Sequence, residues 1–271
     1  MIALNHVVRR KEHASAEQFS DYWLGAHADQ MISMASELGV QKYTKCETQH
    51  ADEITGLLQG LYGTASDSYD FVDQLLINDL ADFKRAMASE DVANRFKALY
   101  EESLEYIESS RSDFWITVDI PQLLPRQPVC SSTENTHLKG IYIGPHRDEL
   151  TLQQAQLHWN ACHGGMARQY STILPYDQYI QAHRMPSQVV DDLKQFLGGD
   201  FQNNDAIIGH AEVWLDRRIA PTLQGPEIER MLALLVEDIG QFAKPEEGHI
   251  FAVKEHVLIS RSLINDTLPR L

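Results

Sequence analysis

Two histidines, each one helical turn after a tryptophan, are the residues of this chain best suited to chemistry. His27 follows Trp23 and His163 follows Trp159, in segments whose apolar residues recur at spacings of three and four. Residues four apart share a helix face, so each imidazole should point with its indole toward the protein interior. An imidazole there can take or give a proton near pH 7. The alternative is that each one hydrogen-bonds a buried carbonyl and is structural.

Three further side chains have the chemistry to assist them. Tyr43 and Tyr179 are strand residues whose hydroxyls can orient a carbonyl or phenolate, or can cap a buried polar group. Asp73 interrupts an apolar run, where desolvation would raise its pKa and suit a general base, unless that strand face is solvated. We therefore expect catalytic roles for His27, Tyr43, Asp73 and His163. The expected ligand contacts are Tyr22, Trp23, His158, Trp159, Tyr179 and His210, although tryptophans in a helical stripe are also common in cores.

The elements that must position these residues follow from periodicity. Ser15 and Gln18 form a capping-box pattern, and the helix that they open should end at Gly39. The order is β-α-β-β-α-β, which predicts one antiparallel sheet with both helices on one face and a second sheet on the other. The predicted strands are Ile2–Val8, Val40–Thr48, Tyr69–Ile77 and Asp113–Ile120, with a long excursion over 50–68 and a helical stretch at Leu80–Ile107 that breaks near Ser89.

The same pattern then starts again after a linker-like stretch at 122–136, rich in Pro, Ser and Thr. A shift of 136 places Trp23 on Trp159 and His27 on His163, and a shift of 137 places Asp73 on His210. We predict two units, 1–121 and 137–271. The predicted fold class is α+β, with two ferredoxin-like βαββαβ units whose antiparallel sheets pack as an intramolecular dimeric α/β barrel.

The segment Phe19–Met31, FSDYWLGAHADQM, has the pattern F-x-x-Y-W-x-x-x-H-A and resembles the EthD family of the dimeric α/β-barrel superfamily. The resemblance implies a cleft between sheet and helices in each unit. The second copy keeps Trp159 and His163 but has His158 where Tyr22 stands. Relatives in this superfamily include polyketide cyclases, muconolactone isomerases, haem-degrading monooxygenases and proteins with no known activity, so the resemblance does not select one activity. The Trp–His pairs and the implied cleft lead us to expect a small aromatic or polyketide-like ligand.

Composition excludes several classes of partner. The 271 residues carry 23 basic and 39 acidic side chains, a formal charge of -16, which disfavours nucleic acid and anionic membranes. The N-terminal apolar stretch is too short for a signal peptide, and no window approaches the roughly 18 apolar residues of a spanning helix. Three cysteines without a CxxC pair favour a cytoplasmic location. The twelve histidines show no HxxxH or HExxH spacing, so we expect no metal site.

The sequence therefore predicts a cofactor-independent acid/base enzyme of the isomerase, cyclase or lyase type. Two alternatives stay open: a non-catalytic binding protein, and an oxidoreductase in which His27 or His163 is an axial ligand of haem. The two copies can also have divided their roles between an active and a structural site. Association of the pseudo-dimer into a homodimer is a further possibility.

Overall fold

The computed structural model describes residues 1–50, 55–56, 59–60, 69–125, 129–131, 137–174, 176–186, 191, 201, 205–218 and 225–261. Most of the predicted excursion at 50–68, and positions 126–128 and 132–136 of the predicted linker, lie outside these residues. Over the described ranges the chain is an α+β protein built on a closed barrel of eight antiparallel strands.

The first four strands and their helices occupy the N-terminal half. The sequence-based prediction of a break near Ser89 is confirmed, because one helix ends at Met87 and the next begins at Glu90. Strand β4 runs two residues into the predicted linker. In chain order the elements are β1 (Ile2–Val8), α1 (Ala16–Leu24), α2 (Ala26–Met34), β2 (Val40–Thr48), β3 (Phe71–Ile77), α3 (Leu80–Met87), α4 (Glu90–Ser103) and β4 (Asp113–Leu123).

The last four strands repeat this order of elements. A turn of π-helix, Trp159–His163, separates the two short helices that follow β5. In chain order the elements are β5 (His137–Pro145), α5 (Leu152–His158), α6 (Gly164–Tyr170), β6 (Tyr176–Arg184), β7 (Ile207–Asp216), α7 (Pro226–Phe242) and β8 (His249–Ser260).

The barrel closes in the strand order β1-β3-β2-β8-β5-β7-β6-β4, with every neighbouring pair antiparallel. Strands 1–4 are adjacent in the order 4-1-3-2, and strands 5–8 follow the same pattern. The two sets meet at the β2–β8 and β4–β6 pairs. Each strand therefore has one face toward the barrel interior and one toward the helices, and the candidate residues divide between these two sides.

Local sequence explains how the first helices begin and end. Ser15 and Gln18 form the expected capping box, and Thr151 and Gln154 form its counterpart in the second half. The stripe predicted as one helix is instead two, α1 and α2, separated at Gly25. The second of them ends at Met34 rather than at the predicted Gly39, which has a φ of 71°, a left-handed conformation that glycine favours.

The first of the two glycines after His163 lies close to a neighbouring strand. A Cβ atom at Gly164 would lie 2.5 Å from the Gln122 side-chain oxygen, so this turn lies directly against the end of β4. The π-helical turn comes immediately before it, and such turns leave part of the backbone hydrogen-bonding ladder shifted. Gly164 therefore leaves room for the Gln122 side chain at the end of β4.

The shift of 137 that placed Asp73 on His210 is wrong for the barrel register. In the first half Asp73 pairs with Lys45, whereas the second-half partner of Gln181 is Ala211, one residue beyond His210. The cause is an irregularity in the pairing of β5 with β7 beside Gly209, whose φ is 130°. This irregularity turns His210 toward the barrel interior.

We expect Gly209→Ala to lower the free energy of unfolding by more than about 1 kcal/mol, because an alanine Cβ would overlap the backbone oxygen of Ala182 at a positive φ. Gly240→Ala is the matched control. Gly240 lies within α7 with no neighbouring atom within 4 Å of a Cβ, so the change should stabilise by up to about 1 kcal/mol. Denaturant unfolding measures both, and equal effects of the two variants would contradict this account of the register.

Candidate functional site

Three polar side chains lie side by side across neighbouring strands of the first half. Lys45 on β2 is paired with Asp73 on β3, which is paired with His6 on β1. All three face the helices rather than the barrel interior, and each is at most 2% exposed. A fully buried lysine and aspartate need a specific arrangement, because an uncompensated buried charge is strongly unfavourable.

The carboxylate of Asp73 is fully engaged by neighbouring donors. Its Oδ1 accepts a hydrogen bond of 2.8 Å from Trp23 Nε1, and its Oδ2 accepts one of 3.0 Å from the Tyr43 hydroxyl. The Lys45 ammonium lies 3.0 Å from the same Oδ2. Burial, followed by the nearby Asp73, raises the pKa of Tyr43, so its hydroxyl keeps its proton and acts as a donor. These bonds stabilise the ionised carboxylate.

Lys45 connects this carboxylate to His27. Its Nζ lies 3.0 Å from His27 Nδ1 and 4.2 Å from the centre of the Trp23 ring. The imidazole of His27 is itself stacked on Trp23, with 3.8 Å between ring centroids. The predicted Trp–His arrangement is therefore present, and its two rings lie against the charged pair.

The contact with Lys45 determines which nitrogen of His27 carries the proton. Burial lowers the pKa of Lys45 to about 8, against the opposing effect of Asp73, so the amine is an ammonium at neutral pH and can only donate. His27 Nδ1 must accept, and the proton of the neutral ring is on Nε2. Burial, and then Lys45 and His6, lower the pKa of His27, which keeps the ring neutral. Among the described residues, Nε2 has no hydrogen-bond partner.

His6, on the adjacent strand, lies within the same aromatic surroundings. Its ring is 5.9 Å from Trp23 and 5.4 Å from Tyr100, between centroids. Burial, and then Lys45, lower the pKa of His6 to about 3, so this ring is also neutral. Within the described ranges neither of its nitrogens has a hydrogen-bond partner.

Tyr22, a predicted ligand contact, lies at the edge of this group. Its ring stacks on Tyr106 at 4.1 Å and meets His27 edge-on at 6.1 Å. Burial, together with Glu102, raises the pKa of Tyr22. The structure thus brings four predicted residues, Trp23, His27, Tyr43 and Asp73, into direct contact and places Tyr22 beside them.

The corresponding row of the second half has no charge. Gln181 replaces Lys45, Ala211 replaces Asp73 and Tyr142 replaces His6 in the paired positions of β6, β7 and β5. The Trp159 indole donates instead to the Tyr179 hydroxyl at 3.2 Å, and Gln181 donates to the same hydroxyl at 3.0 Å.

His158 and His163 contact a carboxylate from a different helix. His163 Nδ1 lies 3.0 Å from Asp238 Oδ2 on α7, and His158 Nε2 lies 2.9 Å from Asp238 Oδ1. These contacts, together with a ring contact of each histidine with Phe242, attach the π-helical turn to α7. The pKa of Asp238 is lowered, since these bonds outweigh the effect of its burial.

His210 lies inside the barrel, on the opposite side of the sheet from the helices. Its Nε2 is 3.2 Å from Glu212 Oε1, and Glu212 also binds the Lys139 ammonium at 3.1 Å. Lys139 further contacts Glu255 at 3.3 Å and Gln74 of the first half at 3.1 Å. This network joins the two sheets within the barrel and does not contact the His27 group.

Sequence reasoning missed Lys45, His6 and Asp238. Lys45 follows Tyr43 by two positions, so strand alternation places both side chains on one face, and this was a usable signal. The position of His6 within a predicted strand was a weaker one. Asp238 lies on an acidic helix 75 residues beyond His163, and no local pattern connects them.

The described structure defines a class of protein: an α+β barrel of eight antiparallel strands with a buried polar group under the helices of its first half. Residues 11–102 match the EthD domain. The resemblance carried by the Phe19–Met31 segment is therefore confirmed over this range, which lies within the first half of the chain. This range includes Trp23, His27, Lys45 and Asp73.

Two solved structures resemble the whole chain. One, described as a "putative monooxygenase" from Lactobacillus acidophilus NCFM, has 8% identity and a TM-score of 0.47, with 98% of each chain covered. The other, described in the same words and from Fusobacterium nucleatum subsp. nucleatum ATCC 25586, has 7% identity and a TM-score of 0.49, covering 95% of this chain and 92% of that one. At such identity neither transfers a reaction or substrate to this chain. No curated protein matches it.

The described residues show neither a metal cluster nor a membrane-spanning helix. They contain no cluster of three or more His, Cys, Asp or Glu side chains that could hold a metal ion. Among the helices that the structure describes, none is both long and apolar enough to span a bilayer.

We expect the Lys45–Asp73 pair to show strong coupling in a double-mutant cycle. Lys45→Gln leaves Asp73 without its counter-ion, and Asp73→Ala leaves Lys45 buried and unpaired, so each should cost about 3 to 5 kcal/mol of unfolding free energy. The double variant reproduces the neutral row of the second half and should cost less than the sum of the two. Denaturant unfolding of the four proteins gives the coupling, and additive or negligible effects would contradict the buried pair.

Proposed function

We propose that the first-half cleft is an acid/base site that acts on a small aromatic or polyketide-like molecule without a resident cofactor. The reaction would be of the isomerase, cyclase or lyase type. The observation that carries this proposal is His27 Nε2–H, a buried donor with no acceptor among the described residues. The Lys45 ammonium lies against the other nitrogen of the same ring. Such a donor suits an oxygen on which negative charge develops.

His27 then acts as a hydrogen-bond donor that polarises a carbonyl, whereas the sequence suggested a base or acid that takes or gives a proton. Its Nδ1 lone pair is held by Lys45, so it is not available to remove a proton. Nε2–H can donate a hydrogen bond to a ligand carbonyl and stabilise the negative charge that develops on its oxygen. Lys45 strengthens this donor through its positive charge, while Asp73 and Tyr43 hold Lys45 in place.

We further propose that the chain arose as a duplication of one ferredoxin-like unit and that only the first copy keeps the chemistry. The repeated strand order and the paired capping boxes support the duplication. The replacement of Lys45 by Gln181 and of Asp73 by Ala211 supports a structural role for the second copy. His163 contributes to that role through Asp238.

Haem does not fit the hydrogen-bonding arrangement of His27. An axial ligand needs a bare nitrogen facing the iron, whereas the Nε2 of His27 carries the proton and its Nδ1 is bonded to Lys45. We therefore propose chemistry that proceeds without haem in this cleft.

A non-catalytic binding protein is the second candidate. It is favoured by the absence of an accessible strong base among the described residues of the group: Asp73 is fully bonded, His27 Nδ1 is occupied, and burial lowers the pKa of His6 to about 3. The two candidates share the same ligand site and differ only in turnover.

We expect His27→Phe to remove ligand binding while preserving the fold, since phenylalanine keeps the stack on Trp23 but has no N–H. Native mass spectrometry and thermal-shift screening against small aryl ketones and phenolic acids would identify a ligand of the wild-type protein. His163→Phe is the matched control and should keep the ligand-induced shift.

Incubating the identified ligand with wild-type protein, followed by mass analysis of the products, separates the two candidates. Conversion that is lost in His27→Phe supports the enzyme, and binding without conversion supports the carrier. Equal ligand shifts in wild type and His27→Phe would contradict the site altogether.

A further inference from the structure

His6 is a buried polar side chain with no role in the function proposed above. It is completely buried on β1, and neither Nδ1 nor Nε2 has a hydrogen-bond partner in the part of the chain that the structure describes. Buried polar groups in folded proteins nearly always have partners. Two orphan nitrogens on one ring therefore suggest that another molecule supplies the missing bonds.

His6 and His27 belong to the same cluster of aromatic side chains. Both rings contact Trp23, at 5.9 and 3.8 Å, and both contact Tyr100, at 5.4 and 6.2 Å between centroids. Phe201, from the second half, meets the His6 ring edge-on at 5.1 Å. The unpartnered nitrogens thus lie among flat aromatic side chains, which suit a flat ligand.

The hydrogen-bonding roles of these nitrogens restrict the ligand. His27 presents one donor, at Nε2. Neutral His6 presents one donor and one bare nitrogen, whichever tautomer it adopts. This cluster therefore offers two N–H donors and one acceptor, next to a Lys45–Asp73 pair that is already electrically balanced.

Three kinds of ligand can be compared with this set. A hydrocarbon would leave all three nitrogens unsatisfied. A carboxylate would accept both donors, but it would leave the bare nitrogen without a partner and would add an unbalanced buried charge. A neutral molecule with a carbonyl oxygen and a hydroxyl satisfies all three, since the hydroxyl both donates and accepts.

We propose that His6 contacts the ligand directly, and that His6 and His27 together select a small, flat, neutral molecule that carries a hydroxyl and a carbonyl oxygen. Phenolic ketones and enolised diketones have this chemistry. The inference rests on the proposed function, because it names the ligand class of the same site.

A matched probe series tests this selection. The probes are acetophenone, its 2-, 3- and 4-hydroxy isomers, and the methyl ether of each isomer, which keeps the acceptor oxygen but loses the donor. We expect the wild-type protein to bind at least one hydroxy isomer about tenfold more tightly than its methyl ether and than acetophenone, by calorimetric titration.

Two variants assign the preference to His6. His6→Phe and His6→Leu remove both nitrogens and should bind that hydroxy isomer and acetophenone equally. Because the nitrogens of His6 have no protein partner, both variants should unfold at the same denaturant concentration as wild type or higher. A loss of stability in both would show a structural histidine and would overturn the inference.

The remaining outcomes distinguish this inference from the proposed function. Wild-type protein that binds acetophenone as tightly as every hydroxy isomer, with binding lost in His27→Phe, would overturn the selection by His6 and leave the proposed function standing. A preference for the hydroxyl that persists in both His6 variants would do the same. Wild-type protein that binds none of the probes would overturn both proposals.

Discussion

The buried ion pair between Lys45 and Asp73 is the interaction on which the candidate site of the first half depends. Two opposite charges without solvent remain stable only if each is paired and hydrogen-bonded, and here the carboxylate accepts two hydrogen bonds besides its contact with the ammonium. Trp23 and Tyr43 are bonded to the carboxylate, and the ammonium reaches His27. The state of His27 follows from this arrangement: its Nδ1 accepts and its Nε2 donates.

The second half shows that the backbone does not require this pair. Strands β5, β6 and β7 form the same kind of row with Tyr142, Gln181 and Ala211, and Trp159 finds a neutral acceptor in Tyr179. A fold that is built equally well from neutral residues does not explain a fully buried lysine and aspartate. We attribute their presence within residues 11–102, the range that matches the EthD domain, to the chemistry proposed for His27.

Those features that depend on neighbours in sequence could be predicted. The strand from Ile2 to Val8, the capping box at Ser15 and the contact of Trp23 with His27 all follow from local periodicity, and the structure contains each of them. The EthD resemblance also rested on one continuous stretch of sequence. For the same reason the order of elements in both halves was readable.

The site itself depends on long-range pairing. Lys45 and Asp73 are 28 residues apart and meet only because β2 and β3 are in one register, and Asp238 reaches His163 from another helix. His210 was assigned to the wrong side of the sheet because one irregularity beside Gly209 reverses the alternation. A periodic sequence pattern does not reveal the extra residue that such an irregularity places in a strand.

The most direct test of this account is the protonation of His27 in the native protein, measured by ¹⁵N nuclear magnetic resonance of the histidine side chains. The assignment comes from comparison with His27→Phe. The account predicts a neutral ring with its proton on Nε2 and a hydrogen-bonded, bare Nδ1, unchanged from pH 7 down to pH 5.5, because the pKa of His27 is lowered by burial. A proton on Nδ1 at pH 7, or a ring that becomes an imidazolium near its ordinary pKa of about 6.5, would contradict it.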